Sequence, residues 1–210
     1  MKLKVMKLER GEWLLIVFNL IVISLFSAYY IRMQNYEFLW YVGIFLFFFM
    51  AVLFSSRKIK FDYIVLWGLS IWGLLHMAGG SLIVNGGVLY NLHLLNIIDG
   101  GGEFFILKFD QFVHFYGFGV ATLVGYALLK PNLDKIHSKK TVYIITILIG
   151  MGFGALNEVL EFIAIILFPS ANVGGYVNNA LDLVFNMLGS IGAVGFLELK
   201  ERLRKKKKSK

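Results

Sequence analysis

Six stretches of roughly 20 residues, each nearly free of charge, divide this chain, and about 20 apolar residues are what an α-helix needs to cross the hydrocarbon of a bilayer. They run Trp13 to Ile31, Glu37 to Phe54, Tyr63 to Val84, Asp110 to Leu129, Val142 to Leu167 and Tyr176 to Leu197. In lipid every backbone N–H and C=O must be paired within the protein, so such runs become helices. Composition agrees: 58% of the 210 residues are hydrophobic and 16% are charged, against an apolar share of about 45 to 50% in soluble domains. The expected fold is therefore an all-α membrane protein, a bundle of six transmembrane helices in a single polytopic domain over residues 1–210. The first run follows Lys2, Lys4, Lys7 and Arg10 as a signal peptide would. It is long and lacks a small-x-small cleavage site, so it reads as a retained span.

The distribution of cations sets the orientation. Formal net charge is +8, which suggests nucleic acid only until the positions are examined. Lys and Arg crowd the N-terminus, the loop with Arg57, Lys58 and Lys60, the loop with Lys130, Lys135, Lys139 and Lys140, and the segment from Lys200 to Lys210; the alternate connections hold only Arg32 and Lys108. By the positive-inside rule both termini are cytoplasmic. Residues 198–210 then read as a basic cytoplasmic tail that anchors the topology, and no nucleic acid partner is expected. The long outer connection, residues 85–107, carries no Lys or Arg, is broken by Gly86-Gly87 and Gly100-Gly101-Gly102, and holds His93, Asp99 and Glu103 among apolar residues. It reads as an interfacial loop or a lid. With no cysteine, disulfides, thiolate ligands and cysteine nucleophiles are excluded.

Against this apolar background stand His76, Asp110, His114, Glu158, Glu161, Asp182 and Asn186. Placing one charge at mid-membrane costs about 2.5 to 3.5 kcal/mol on insertion scales, so such residues face a protein interior and mark function. At about 1.5 Å per helical residue, His76 lies in the outer half of the third span. Asp110 opens the fourth, with His114 one turn below; Glu158 and Glu161 come late in the outward-running fifth; Asp182 and Asn186 come early in the sixth. Four helices thus bring polar groups to one depth. The spacings i, i+4 for Asp110 and His114, i, i+3 for Glu158 and Glu161, and i, i+4 along Asn178, Asp182 and Asn186 put each set on one helix face. Small residues follow the same half of the chain, with Gly117, Ala121, Gly125, Gly150, Gly154, Gly189, Gly192 and Ala193 expected at close helix contacts.

Three segments carry a family resemblance. Asp110-Gln111-Phe112-Val113-His114-Phe115, then Asn157-Glu158-Val159-Leu160-Glu161, then Asp182-Leu183-Val184-Phe185-Asn186-Met187-Leu188-Gly189 resemble the D-x-x-x-H-F, E-x-x-Q/E and D-x-x-x-N-x-x-G helices of VanZ-like membrane proteins. His76-Met77-Ala78-Gly79-Gly80 with Tyr90 looks closer to YjdF-type relatives, prokaryotic inner-membrane proteins of unknown function. Glu161 stands where many VanZ-like chains have Gln, and their Arg shortly before Asp182 is absent. The resemblance implies a multi-pass protein of a prokaryotic plasma membrane with a shared intramembrane site; it does not assign chemistry.

Three functions fit these residues. In the first, the site acts on or recognises a lipid or lipid-linked envelope molecule: His76, His114, Asp110, Glu158 and Asp182 would hold a divalent metal of the Zn, Mn or Fe type. Glu158, Asp182, Asp110, His114 and Glu161 would carry the chemistry, Asn186 would orient a partner, and Gly79, Gly80 and Tyr90 would shape or contact the substrate. In the second, the carboxylates relay protons in a transporter or carrier. In the third, they hold helices together without turnover, although interhelical hydrogen bonds of about 0.6 kcal/mol each are a weak reason to gather so many ionisable groups.

Overall fold

The structure is a computed structural model that describes residues 10–56, 58–102, 104–168 and 174–209. Lys2, Lys4, Lys7, Arg57, Glu103 and Lys210, named above, lie outside them. Among the described residues six helices are long and apolar enough to cross a membrane: α1 (Arg10–Arg32), α2 (Tyr36–Ser55), α3 (Tyr63–Ser81), α4 (Phe109–Leu133), α5 (Lys139–Leu167) and α6 (Tyr176–Lys208). The six-span all-α architecture read from the sequence is thus found. The chain divides into two compact units, with the boundary between Met77 and Ala78.

In the first unit, the first two spans are rich in aromatics and branched aliphatics with almost no internal polarity. The structure adds two polar ties. Asn19, buried on α1, donates through Nδ2 to Leu15 O at 2.8 Å and to Ser70 Oγ on α3 at 2.7 Å. Tyr30, fully buried, donates its hydroxyl to Met77 O at 2.7 Å. Asn35 caps α2, its Oδ1 accepting from Phe38 N at 3.0 Å, which satisfies one of the orphan N–H groups of the first turn.

In the second unit α4, α5 and α6 pack pairwise, and small residues permit the approach. A Cβ on Gly150 of α5 would overlap the hydroxyls of Thr122 on α4 and Ser190 on α6. Those hydroxyls, 3.0 Å apart, donate back to carbonyls on their own helices, Phe118 O at 2.6 Å and Asn186 O at 2.8 Å. A Cβ on Gly189 would run into the backbone of Phe115. Gly119, absent from the expected contacts, faces Gly189 O across the same seam, where an added Cβ would stand 3.1 Å away.

Helix ends run up to four residues beyond the expected spans in α1, α4 and α5, and three further differences bear on the fold. The third span ends at Ser81, three residues early, because Ile83–Val84 (β1) turns back through Asn85-Gly86 to pair with Gly87–Val88 (β2). Both turn residues have positive φ, 52° and 82°, the conformation that makes Asn-Gly a hairpin turn. The connection expected to be an interfacial loop or a lid continues as a 3₁₀ turn over Leu89–Asn91 and a second antiparallel ribbon, β3 (His93–Asp99) with β4 (Phe105–Lys108). The basic tail is not a separate segment, since α6 runs unbroken for 33 residues from Tyr176 to Lys208. Its Glu198–Arg202 and Glu201–Lys205 pairs at i, i+4 favour that continuation.

Candidate functional site

Chain direction explains why the polar residues meet. α4 and α6 start, and α5 finishes, at the same end of the second unit. At about 1.5 Å per residue, His114, Glu161 and Asp182 each lie roughly two turns from a helix terminus. Asp110 is held at the start of α4 by the neighbouring Gln111. That side chain, completely buried, donates through Nε2 to Phe105 O at 2.7 Å and accepts from Lys108 N at 3.1 Å through Oε1. The first turn of α4 is thereby stitched to β4.

His114 is the hub, and both ring nitrogens face partners. Nδ1 lies 3.0 Å from Asn186 Oδ1 and 3.9 Å from Glu158 Oε1; Nε2 lies 3.7 Å from Asp110 Oδ1 and 4.0 Å from Asp182 Oδ1. An amide oxygen only accepts, so Asn186 fixes the proton on Nδ1 and, in the neutral ring, turns the Nε2 lone pair toward the two aspartates. Asn186 is itself locked: it is 1% exposed, and an added Cβ on Gly154 would stand 2.7 Å from its Nδ2.

A ring of asparagines orients the acids. Asn178 Nδ2 donates to Asp182 Oδ2 at 2.7 Å, Asn179 Nδ2 to Glu158 Oε2 at 2.6 Å, and Asn157 Nδ2 to Glu161 Oε1 at 2.6 Å. An amide fixes a carboxylate without neutralising it. The other oxygens of Asp182 and Glu158, Oδ1 and Oε1, are buried, make no hydrogen bond, and point toward opposite edges of the imidazole. Asp182 is 1% exposed and the Glu158 side chain 9%. Two ligand groups result: Asp110, His114 and Asp182, and His114, Glu158 and Glu161, each with one donor atom per residue within 4.8 Å of the others. Two ligands about 2.1 Å from one tetrahedral ion stand about 3.4 Å apart. The 3.7 and 4.0 Å separations at Nε2 are too long for hydrogen bonds and close to that spacing.

Asp110, His114, Glu158, Glu161, Asp182 and Asn186, singled out from the sequence, are therefore brought together. Gly79 and Tyr90 meet one another instead, since a Cβ at position 79 would strike the Tyr90 ring, and half-buried Gly80 follows on the last turn of α3. His76 belongs to the first unit, where its ring packs edge-on to Tyr41 at 5.4 Å and lies 6.5 Å from Phe38. Sequence reasoning missed Asn179. It lies off the Asn178, Asp182, Asn186 face and reaches α5 instead; the signal was two adjacent amides opening a membrane span, where unpaired amides are costly.

Six spans and a polar cluster set inside three of them define a polytopic α-helical membrane protein. The chain belongs to the family DUF2238, described as a predicted membrane protein, whose model matches residues 13–202. No curated protein and no solved structure matches it.

Proposed function

We propose that the protein binds a divalent cation at the Nε2 edge of His114, between Asp110 and Asp182, and uses it to recognise or act on a lipid or lipid-linked envelope molecule at the outer face of a prokaryotic plasma membrane. The observation that carries this reading is the pair of buried oxygens without a hydrogen bond, Asp182 Oδ1 and Glu158 Oε1, flanking one imidazole at 4.0 and 3.9 Å. A buried carboxylate oxygen without a hydrogen bond is costly. Four carboxylates around a single histidine favour a cation and repel a bare phosphate, so a phosphate-bearing head group would bind there through the metal. One imidazole nitrogen with carboxylate oxygens suits Zn, Mn or Fe.

A metal held by Asp110, His114 and Asp182 would supply Lewis-acid polarisation of a head-group oxygen. Glu158, on the Nδ1 side with one oxygen free of hydrogen bonds, would accept a proton there; Glu161, tied to Asn157, would hold the local negative charge; Asn186 would keep His114 in its ligand tautomer. Outer placement is supported by Lys130, Lys135, Lys139 and Lys140 together with Lys205 to Lys208, all at the other end of the same helices. The finer kinship with VanZ-like and YjdF-type proteins belongs to this proposal, and rests on the motifs around Asp110, Glu158 and Asp182.

The test is elemental analysis of protein purified without chelators, paired with mass spectrometry of co-purified lipid. Stoichiometric Zn, Mn or Fe, lost in His114→Ala and Asp182→Asn while both variants stay folded, is expected. Equal metal content in wild type and both variants overturns the metal site. A lipid complement identical to that of an unrelated membrane protein overturns the head-group reading.

A further inference from the structure

We propose that the β3–β4 ribbon is seated in the head-group layer of the leaflet at its end of the helices, with Leu94, Leu95, Ile97 and Ile98 against lipid. This rests on observations separate from the carboxylate cluster and stands or falls independently of it. All seven residues of β3 are exposed; Leu95 and Ile97 are 62% and 61% exposed, and Leu82, Ile83 and Phe104 extend the apolar surface. A water-facing two-stranded ribbon of this kind would be an unprotected aggregation edge, which soluble surfaces guard against with lysine, proline or charge. Here no Lys or Arg occurs from Leu82 to Leu107.

The apolar surface is continuous with the lipid-facing side of a membrane helix. From Tyr90 on the 3₁₀ turn a ladder of rings runs through Phe109 and Phe112 to Tyr116, with centroids 6.5, 6.2 and 6.3 Å apart. Phe112 and, beside it, Phe115 are exposed on α4, where the surroundings of a span are acyl chains. Aromatic residues of this kind mark the membrane–water boundary. The ribbon is also held in place at its base: Phe109 N donates to Leu92 O at 2.8 Å, and Gln111 fastens Phe105.

Depth is bounded from both sides. A two-stranded ribbon leaves its outer backbone groups unpaired, which excludes the hydrocarbon centre. At the tip, Asp99 Oδ1 accepts from Gly101 N at 3.0 Å in a polar, glycine-rich turn suited to water. The ribbon therefore lies with its strands among head groups and its tip in solution.

The absence of native cysteine allows a clean test. Single-cysteine variants Ile97→Cys, Leu95→Cys and Asp99→Cys carry a nitroxide in phosphatidylethanolamine–phosphatidylglycerol vesicles, and collision rates with oxygen and with a water-soluble nickel complex are compared. Labels at 97 and 95 should favour oxygen and report about 5 to 10 Å below the phosphates, while the label at 99 favours nickel. Nickel access at 97 and 95 equal to that at 99 would place the ribbon in water and overturn the proposal. Exclusion of both reagents would mean that a second copy or another protein covers it, and would overturn it equally. Two exposed positions are used so that one poorly folded variant does not decide the outcome.

Discussion

The two ends of the second unit both gather charged residues, and they solve the problem in opposite ways. At the lysine-rich end Lys139 Nζ meets Glu198 at 2.5 Å and Glu201 at 2.8 Å, Arg202 returns to Glu198 at 2.7 Å, Lys205 to Glu201 at 2.6 Å, and the Tyr143 hydroxyl donates to Glu198. Glu198 and Glu201 each have two cations in contact, and both are partly exposed. At the other end four acids share one imidazole, and its ionic neighbours stand 3.7 to 4.0 Å away. Matched, half-exposed pairs fasten α5 to α6. Unmatched, buried oxygens with amide-fixed geometry resemble a binding site kept ready for a cation.

The largest expected effect breaks the unmatched end. Asp182→Asn should weaken divalent-cation affinity by more than about 100-fold, beyond the loss usual for supporting residues, as read by metal titration in detergent. The same variant should raise the unfolding temperature, because it removes one of four acids crowded around a single imidazole. An unchanged affinity, or a lowered unfolding temperature with affinity retained, would make this end as structural as the other. Next come the orienting amides. Asn186→Leu and Asn179→Leu should each cost about 10- to 100-fold in cation affinity with the ligands intact, and titration of either at wild-type affinity would remove that amide from the site.

Gly150→Ala probes the seam between the two ends. Its Cβ overlaps the Thr122 and Ser190 hydroxyls, so thermal unfolding should report a destabilisation of about 1 to 3 kcal/mol, and a neutral result would show that the helices separate easily there. The smallest effect belongs to the matched end. Lys139→Met should lower the unfolding temperature only slightly, since its side chain is 46% exposed and screened. That loss should shrink in high salt and leave cation affinity unchanged.

Much of this was legible in advance because membrane physics leaves strong marks in sequence. Six runs of sufficient length gave six helices, and the i, i+3 and i, i+4 spacings placed Asp110, His114, Glu158, Glu161, Asp182 and Asn186 on converging faces. What escaped were features decided by tertiary partners or by short-range turn chemistry. The Asn85-Gly86 turn ended α3 early where hydropathy alone continued it to Val84. The 83–108 segment formed ribbons although an apolar run of that length is compatible with helix, loop or strand. Asn179 acquired its role from Glu158, 21 positions away in sequence and adjacent only in the fold.

The uninterrupted course of α6 has a mechanical consequence. Asp182 and Asn186 sit near one tip of a rod whose other tip carries Arg202 to Lys208, with no proline or glycine break beyond Gly195, and Asp182 and Lys208 are separated by roughly 39 Å at about 1.5 Å per residue. A stiff shaft cannot twist at one extremity alone. Torque applied to the basic extremity therefore reaches the two side chains that set the His114 ring, unless the Lys139 clasp on Glu198 and Glu201 absorbs it first.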